Sequence, residues 1–187
     1  MRDRRAADSR LIKRHVYLVG FSGSGKSTIG PLLASRMKRP FGDSDAAIVR
    51  SSQMSIAKIF SERGEPAFRR LESKVILELS GHKVSTVVAL GGGALLSRAN
   101  RTIVFKTGVV VYLRCSKREL HRRLKPQTDR PLLRGQTLKL EHQIDKLLTL
   151  RERGYKMADV TVSTTARTPH RVAGEIAAAL KRKYGAY

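Results

Sequence analysis

A chain of 187 residues with 41% hydrophobic content is long enough for one packed core and excludes a disordered polypeptide. It has no apolar run near the ~20 residues of a membrane helix, no apolar stretch behind Met1-Arg2-Asp3-Arg4-Arg5 that would make a secretory signal, and only Cys115, which excludes an internal disulfide. The net charge of +23, from 38 Lys and Arg against 15 Asp and Glu, favours anionic partners; with basic residues spread through the chain and no Trp, a single-strand stacking platform is excluded.

Residues 1–14 carry six Lys or Arg, two Asp and few apolar positions, and read as a flexible basic tail. Residues 15–187 read as a single domain. Val16 to Val19 is a short apolar run, the pattern of a strand buried on both faces. Gly20-Phe21-Ser22-Gly23-Ser24-Gly25-Lys26-Ser27 follows it and opens onto a helical segment, Thr28 to about Met37. Strand, Gly-rich turn and helix is the context in which G-x-x-x-x-G-K-[ST] holds phosphate. The glycines let successive N–H groups curl inward, and the helix N-terminus adds partial positive charge. Lys26 can reach the β- and γ-phosphates and the Ser27 hydroxyl can ligate Mg²⁺. Pro31 lies inside this helix, where it removes a backbone donor and bends the first turns.

Past a short strand after Pro40 comes Asp43-Ser44-Asp45. At the carboxyl end of a parallel sheet, one carboxylate can hold Mg²⁺ through water while the other faces an acceptor hydroxyl. The same residues also suit a helix N-terminus. Ser55 to Arg63 and Glu65 to Leu79 read as helices. In the second, Arg69 and Glu72 share a face; either the carboxylate orients the guanidinium toward an anion, or the two form a plain surface ion pair. Thr86 to Leu90 is the next strand, ending in Gly91-Gly92-Gly93, which serves either close approach of a ligand or a flexible turn. A helix over 97–106 and a strand over Val109 to Leu113 follow; Cys115 at its end is a small packed residue. Ser116-x-x-Glu119 is a capping box opening a helix through Leu124. Residues 125–137, with Pro126, Asp129, Arg130 and Pro131, suit either a mobile lid that delivers positive charge to a transferring phosphoryl group or a solvated loop. A helix from about Thr137 to Arg153, a strand over 159–163 and a terminal helix opened by Thr168 and Pro169 complete the chain. Strand and helix alternate throughout, which argues for a doubly wound parallel α/β sheet.

The phosphate loop, Asp43-Ser44-Asp45, Gly64-Glu65-x-x-Phe68-Arg69-x-x-Glu72, Gly91-Gly92-Gly93, Arg130-Pro131-Leu132-Leu133 and Arg151-x-x-x-Tyr155 stand in one order that resembles the shikimate kinase family over about residues 15–184. The resemblance implies a three-layer, nucleoside-monophosphate-kinase-like P-loop fold: a five-stranded parallel sheet flanked by helices, with a mobile lid at about 125–137. It implies transfer of the ATP γ-phosphoryl group to the 3-hydroxyl of shikimate, in aromatic amino-acid biosynthesis. Under it, Gly23, Ser24, Gly25, Lys26, Ser27 and Thr28 bind ATP, and Ser27 and Asp43 hold Mg²⁺. Asp45 binds the acceptor hydroxyl and serves as its base. Arg69 and Arg151 clamp the shikimate carboxylate, with Glu72 orienting Arg69. Gly91, Gly92 and Gly93 offer backbone N–H groups to the ring hydroxyls. Arg130 is the lid arginine, and Arg123 and Arg167 flank the adenine.

Two departures stand out: Pro31 replaces a polar residue, and Arg153 replaces a proline common between Arg151 and Tyr155. The alternatives are another sugar-acid kinase of this fold, such as a gluconate kinase, and a catalytically silent kinase-fold binding protein, supported by charge alone. The expected protein is a cytoplasmic monomer acting on small molecules, with no membrane partner and with nucleic acid bound only non-specifically through its charge.

Overall fold

The computed structural model describes residues 15–124 and 137–185; the basic tail and most of the segment read as a lid, Arg130 included, lie outside the described residues. In chain order the elements are β1 (His15–Val19), α1 (Lys26–Arg36), β2 (Phe41–Asp43), α2 (Ser44–Ser52), α3 (Ile56–Ser80), β3 (Val87–Ala89), a 3₁₀ turn (Ala94–Leu96), α4 (Arg98–Thr107), β4 (Gly108–Arg114), α5 (Lys117–Leu124), α6 (Thr137–Tyr155), β5 (Val160–Ser163) and α7 (Pro169–Tyr184).

The sheet is five-stranded and parallel, in the order β2-β3-β1-β4-β5. β1 is central, pairing Val16 with Val87 on one side and Val109 on the other. Its side chains alternate between two cores, as the period of a strand requires. Val16 and Leu18 pack with Leu33 of α1 and Ile176 of α7. Tyr17 and Val19 pack with Ile76, Val104 and Tyr155 on the opposite face. Each fully buried aliphatic side chain contributes roughly 1.5–3 kcal/mol. The buried Tyr17 hydroxyl is satisfied by Ser80 Oγ and Thr107 Oγ1, both at 2.8 Å. Cys115 is buried beside Phe21 and Leu120, a packed residue as expected.

Three readings of the sequence are refined. The two helices over 55–63 and 65–79 are both present and abut within the span given as α3, separated at Gly64, whose φ of 74° and ψ of 170° are not helical. Asp43 does open a helix: its Oδ1 accepts from Asp45 N at 3.0 Å and Ala46 N at 3.2 Å, so the capping reading holds. The Ser116-x-x-Glu119 capping box is half made. Ser116 Oγ accepts from Glu119 N at 3.3 Å, but the Glu119 carboxylate turns to Arg122 and Arg123, and Ser116 N donates to Thr165 Oγ1 instead. Two adjacent guanidiniums outcompete one backbone amide for a carboxylate. Pro31 sits inside α1, which continues to Arg36.

Candidate active site

The carboxyl ends of β1, β2 and β3 lie at one edge of the sheet, so the phosphate loop, Asp43 and the three glycines meet there. Gly23 and Gly25 have φ of 79° and 98°, left-handed values that a side chain resists, and Gly25 caps α1 with no side-chain acceptor. The loop thus turns its backbone, rather than a side chain, toward the cleft in front of α1. Lys26 Nζ donates to Gly20 O at 2.8 Å and Phe21 O at 3.1 Å. Gly23, Lys26, Ser27 and Thr28 line a cleft of about 520 Å³, with Asp43 and Asp45 on its far wall. Ser24 sits behind the loop: its side chain is fully buried and its N–H donates to Phe21 O at 3.1 Å.

Asp43 does two things at once. While Oδ1 caps α2, Oδ2 accepts from Ser27 Oγ at 2.8 Å. A hydroxyl and a carboxylate meeting beside a phosphate cradle form an all-oxygen donor pair suited to a hard cation that keeps most of its waters. Between the two aspartates, buried Ser44 accepts from Gly91 N at 2.9 Å and so fastens the glycine turn to α2.

That turn is where four charged side chains converge. A Cβ on Gly91 would lie 2.8 Å from both Asp45 Oδ1 and Glu72 Oε1. A Cβ on Gly93 would lie 2.6 Å from Arg69 Nη1, and one on Gly92 would lie 3.1 Å from Arg151 Nη1. The glycines are therefore required by close packing against four charged side chains, which decides against a merely flexible turn. Arg69 Nη1 donates to Glu72 Oε2 at 2.8 Å, while Nη2 and Nε reach Glu65 Oε1 at 2.8 and 3.1 Å. Glu72 is 1% exposed, which rules out a plain surface pair. Burial is the largest influence on Glu72 and pushes its pKa up, against the pull of Arg69. Burial works to lower the Arg69 pKa, but Glu72 and Glu65 outweigh it and hold the guanidinium charged.

Arg151 is buried at 6% exposure over the Phe21 ring, 5.3 Å from its centroid. Among the described residues its Nε meets no hydrogen-bond partner. One helical turn on, Tyr155 donates to Gly92 O at 2.5 Å and stacks on Tyr112, with centroids 5.0 Å apart. Burial raises the Tyr155 pKa, so the phenol stays a donor.

Arg123 lines the cleft beside the phosphate loop, held by Glu119 Oε1 at 2.7 Å and donating to Gly23 O and Thr164 O at 3.1 Å each. Arg122 and Arg123 hold the Glu119 carboxyl down to about 2. Arg167 also lines the cleft, ion-paired with Glu175 of α7. Sequence reasoning gave no role of their own to Phe21, Ser44 or Tyr155, and gave Glu119 only a capping role. Phe21 and Ser44 lie inside motifs whose charged neighbours drew the reading; Tyr155 was one turn from Arg151, the signal that could have found it.

Among the described residues, no helix is long and apolar enough to cross a membrane. The family model described as shikimate kinase matches residues 22–181. A shikimate kinase of Chlorobium chlorochromatii is 46% identical over 158 residues, covering 81% of this chain and 83% of that protein. One from Geobacter metallireducens is 40% identical, covering 87% and 89%. A solved structure, the shikimate kinase of Acinetobacter baumannii in complex with shikimate, superposes with a TM-score of 0.86 at 34% identity, covering 96% of this chain and 98% of that one. A phosphate loop and a carboxylate pair lining one cleft, beside a glycine turn packed against Arg69 and Arg151, on a chain matched along most of its length, place this protein in the shikimate kinase family.

Proposed function

We propose that the chain transfers the γ-phosphoryl group of ATP to the 3-hydroxyl of shikimate. The observation that carries this reading is the convergence of half-buried Arg69, buried Arg151 and Asp45 on one glycine turn, at Gly93, Gly92 and Gly91 in that order. A small polyol with a carboxylate at one end and a reactive hydroxyl at the other requires that layout.

ATP lies with its phosphates against the N–H groups of the Gly20–Ser27 loop, Lys26 Nζ neutralising the β- and γ-oxygens. Arg123 and Arg167 flank the base. Ser27 and Asp43 are the residues that would hold Mg²⁺, which when bound neutralises phosphate charge. Arg69 and Arg151 take the shikimate carboxylate, Arg151 Nε being a buried donor suited to it. The Gly91 N–H is committed to Ser44, so the N–H groups of Gly92 and Gly93 face the ring hydroxyls. Asp45 then accepts the proton of the 3-hydroxyl as its oxygen bonds to the γ-phosphorus and the bond to the β-phosphate oxygen breaks, releasing ADP. The work is positioning and charge neutralisation. Arg130, by the family resemblance, adds a positive charge at the transferring group.

The test is ADP release from Mg-ATP with shikimate, gluconate or no acceptor, beside Asp45→Asn. Release that depends on shikimate and falls at least a hundredfold in the variant supports the proposal. Release driven by gluconate instead overturns the substrate, and release that is unchanged in Asp45→Asn overturns the role of Asp45.

A further inference from the structure

In a parallel sheet every strand enters from the same edge, and in this chain nearly every entry is basic. Lys38 and Arg39 precede β2, His82 and Lys83 precede β3, Lys106 precedes β4 and Lys156 precedes β5. The last turn of α7 brings Lys181, Arg182 and Lys183 to the same edge, where Lys183 Nζ donates to Asp159 O at 2.7 Å just before β5. Lys38, Lys83, Lys106, Lys156, Lys181 and Arg182 are all exposed.

The acids near this edge are engaged. Asp159 Oδ2 accepts from Val110 N at 2.9 Å, and Glu152 pairs with Lys156 at 3.0 Å. The carboxylates of the active site, Asp43, Asp45, Glu65 and Glu72, lie at or beyond the opposite edge. The active-site end carries cations too, Lys26, Arg69, Arg123, Arg151 and Arg167 among them, but those face the chemistry proposed above; the cations of the entry edge have no part in it.

We propose that this entry edge of the sheet is a docking surface for the phosphate backbone of a nucleic-acid duplex. With five strands about 4.8 Å apart the row is about 20 Å long, against roughly one phosphate charge per 1.7 Å of duplex axis. Among the described residues no Phe or Tyr is exposed, so unpaired bases find no ring to stack on. The exposed large apolar side chains at this edge are Leu77 in the last turn of α3, Val84 and Met157, outnumbered two to one by the six exposed cations. What remains is spaced positive charge, which reads a phosphate backbone without reading its sequence.

The test uses the full chain and a short fluorescein-labelled DNA duplex, with anisotropy read across a salt series. The edge variant carries Lys38→Gln, Lys83→Gln, Lys181→Gln and Arg182→Gln. A charge-matched control carries Arg50→Gln, Lys58→Gln, Arg63→Gln and Arg70→Gln on α2 and α3. Kinase turnover checks that each is folded. The edge variant is expected to bind at least tenfold more weakly, with a salt slope shallower by about 3 to 4, since each lost phosphate contact removes about 0.9; the control stays within about twofold. The double reversal Lys83→Glu with Lys181→Glu reads the same surface with fewer changes and is expected to weaken binding likewise. Equal loss in edge and control sets overturns the proposal, because charge anywhere would then suffice. So does absence of duplex binding by the unaltered chain. Phosphatidylglycerol vesicles serve as the third arm: edge-dependent vesicle binding without edge-dependent duplex binding moves the surface to membranes.

Discussion

Arg69 and Glu72 meet at 2.8 Å across one turn of α3, with the carboxylate 1% exposed and the guanidinium 24%. Removing either partner has different consequences. Glu72→Gln keeps the shape and an acceptor but loosens the guanidinium; the KM for shikimate is expected to rise about fivefold or more with the KM for ATP unchanged. Arg69→Ala leaves a buried carboxylate without its ion pair, which costs on the order of 3 kcal/mol. A fall of that size in unfolding free energy, measured with urea, is expected beside loss of shikimate-dependent turnover. Equal, small effects of the two variants on stability would contradict the buried pair.

Gly93→Ala tests the glycine turn. The added methyl would fall 2.6 and 2.8 Å from Arg69 Nη1 and Nη2, while φ at this position, −102°, suits any residue. The backbone therefore tolerates alanine and the guanidinium must move. The expected result is a rise of about tenfold in the KM for shikimate, nucleotide affinity within about twofold and little change in stability. A weakened nucleotide with shikimate unaffected would mean that the turn serves the other substrate.

Asp43→Asn separates the two oxygens of this side chain. Asn Oδ1 still caps α2, so the urea midpoint is expected to hold within about 0.5 kcal/mol. The negative oxygen that accepts from Ser27 is lost, so saturation is expected to need several-fold more Mg²⁺. Asp43→Ala adds loss of the cap, about 1 kcal/mol. Chelation with EDTA is expected to stop turnover in the unaltered protein. A magnesium dependence identical in Asp43→Asn would remove Asp43 from the metal site.

His15 predicts a pH dependence. Its Nδ1 accepts from Thr86 N at 3.2 Å, which requires the neutral ring. Burial is the largest influence and lowers its pKa; the Ser80 and His82 carbonyls oppose this, while the charges of His82 and Arg39 reinforce it. Below the ordinary value of 6.5 the unfolded chain therefore binds more protons than the folded one. The contribution of His15 is fully present above that pH and is lost as pH falls toward the folded value. His15→Asn retains an acceptor near the Nδ1 position but does not titrate. Urea midpoints are expected to fall more steeply between pH 7 and about 5.5 in the unaltered chain than in the variant; parallel curves would refute the assignment.

The sheet and the phosphate loop were legible because their signals are local. Apolar runs such as Val16 to Val19 carry the period of a buried strand, and the loop needs glycine at fixed offsets. The charged cluster was legible only as residue types in order: spacing alone allowed Arg69 and Glu72 to be an exposed pair, and the burial of Glu72 and the packing of Gly91 and Gly93 against the two exclude that. The capping box failed as a prediction because a carboxylate chooses among all donors within reach, and Arg122 and Arg123 were stronger ones. Tyr155 and Ser44 were missed because each acts on the backbone of the distant glycine turn, at Gly92 O and Gly91 N. No periodicity within one helix reports a contact of that kind.

Arg123 is gripped at three points that belong to three segments: its own helix through Glu119, the phosphate loop through Gly23 O, and the stretch after β5 through Thr164 O. A free arginine gives up roughly 1.5–2 kcal/mol of rotamer entropy when it is ordered. Here most of that loss falls on the folding reaction, so under the proposed adenine-flanking role a purine arriving beside the guanidinium would meet a surface already fixed in place. In that proposed role such a residue would add to nucleotide affinity by having little freedom left to lose, and a lysine, with a single nitrogen to share among three acceptors, would not reproduce it.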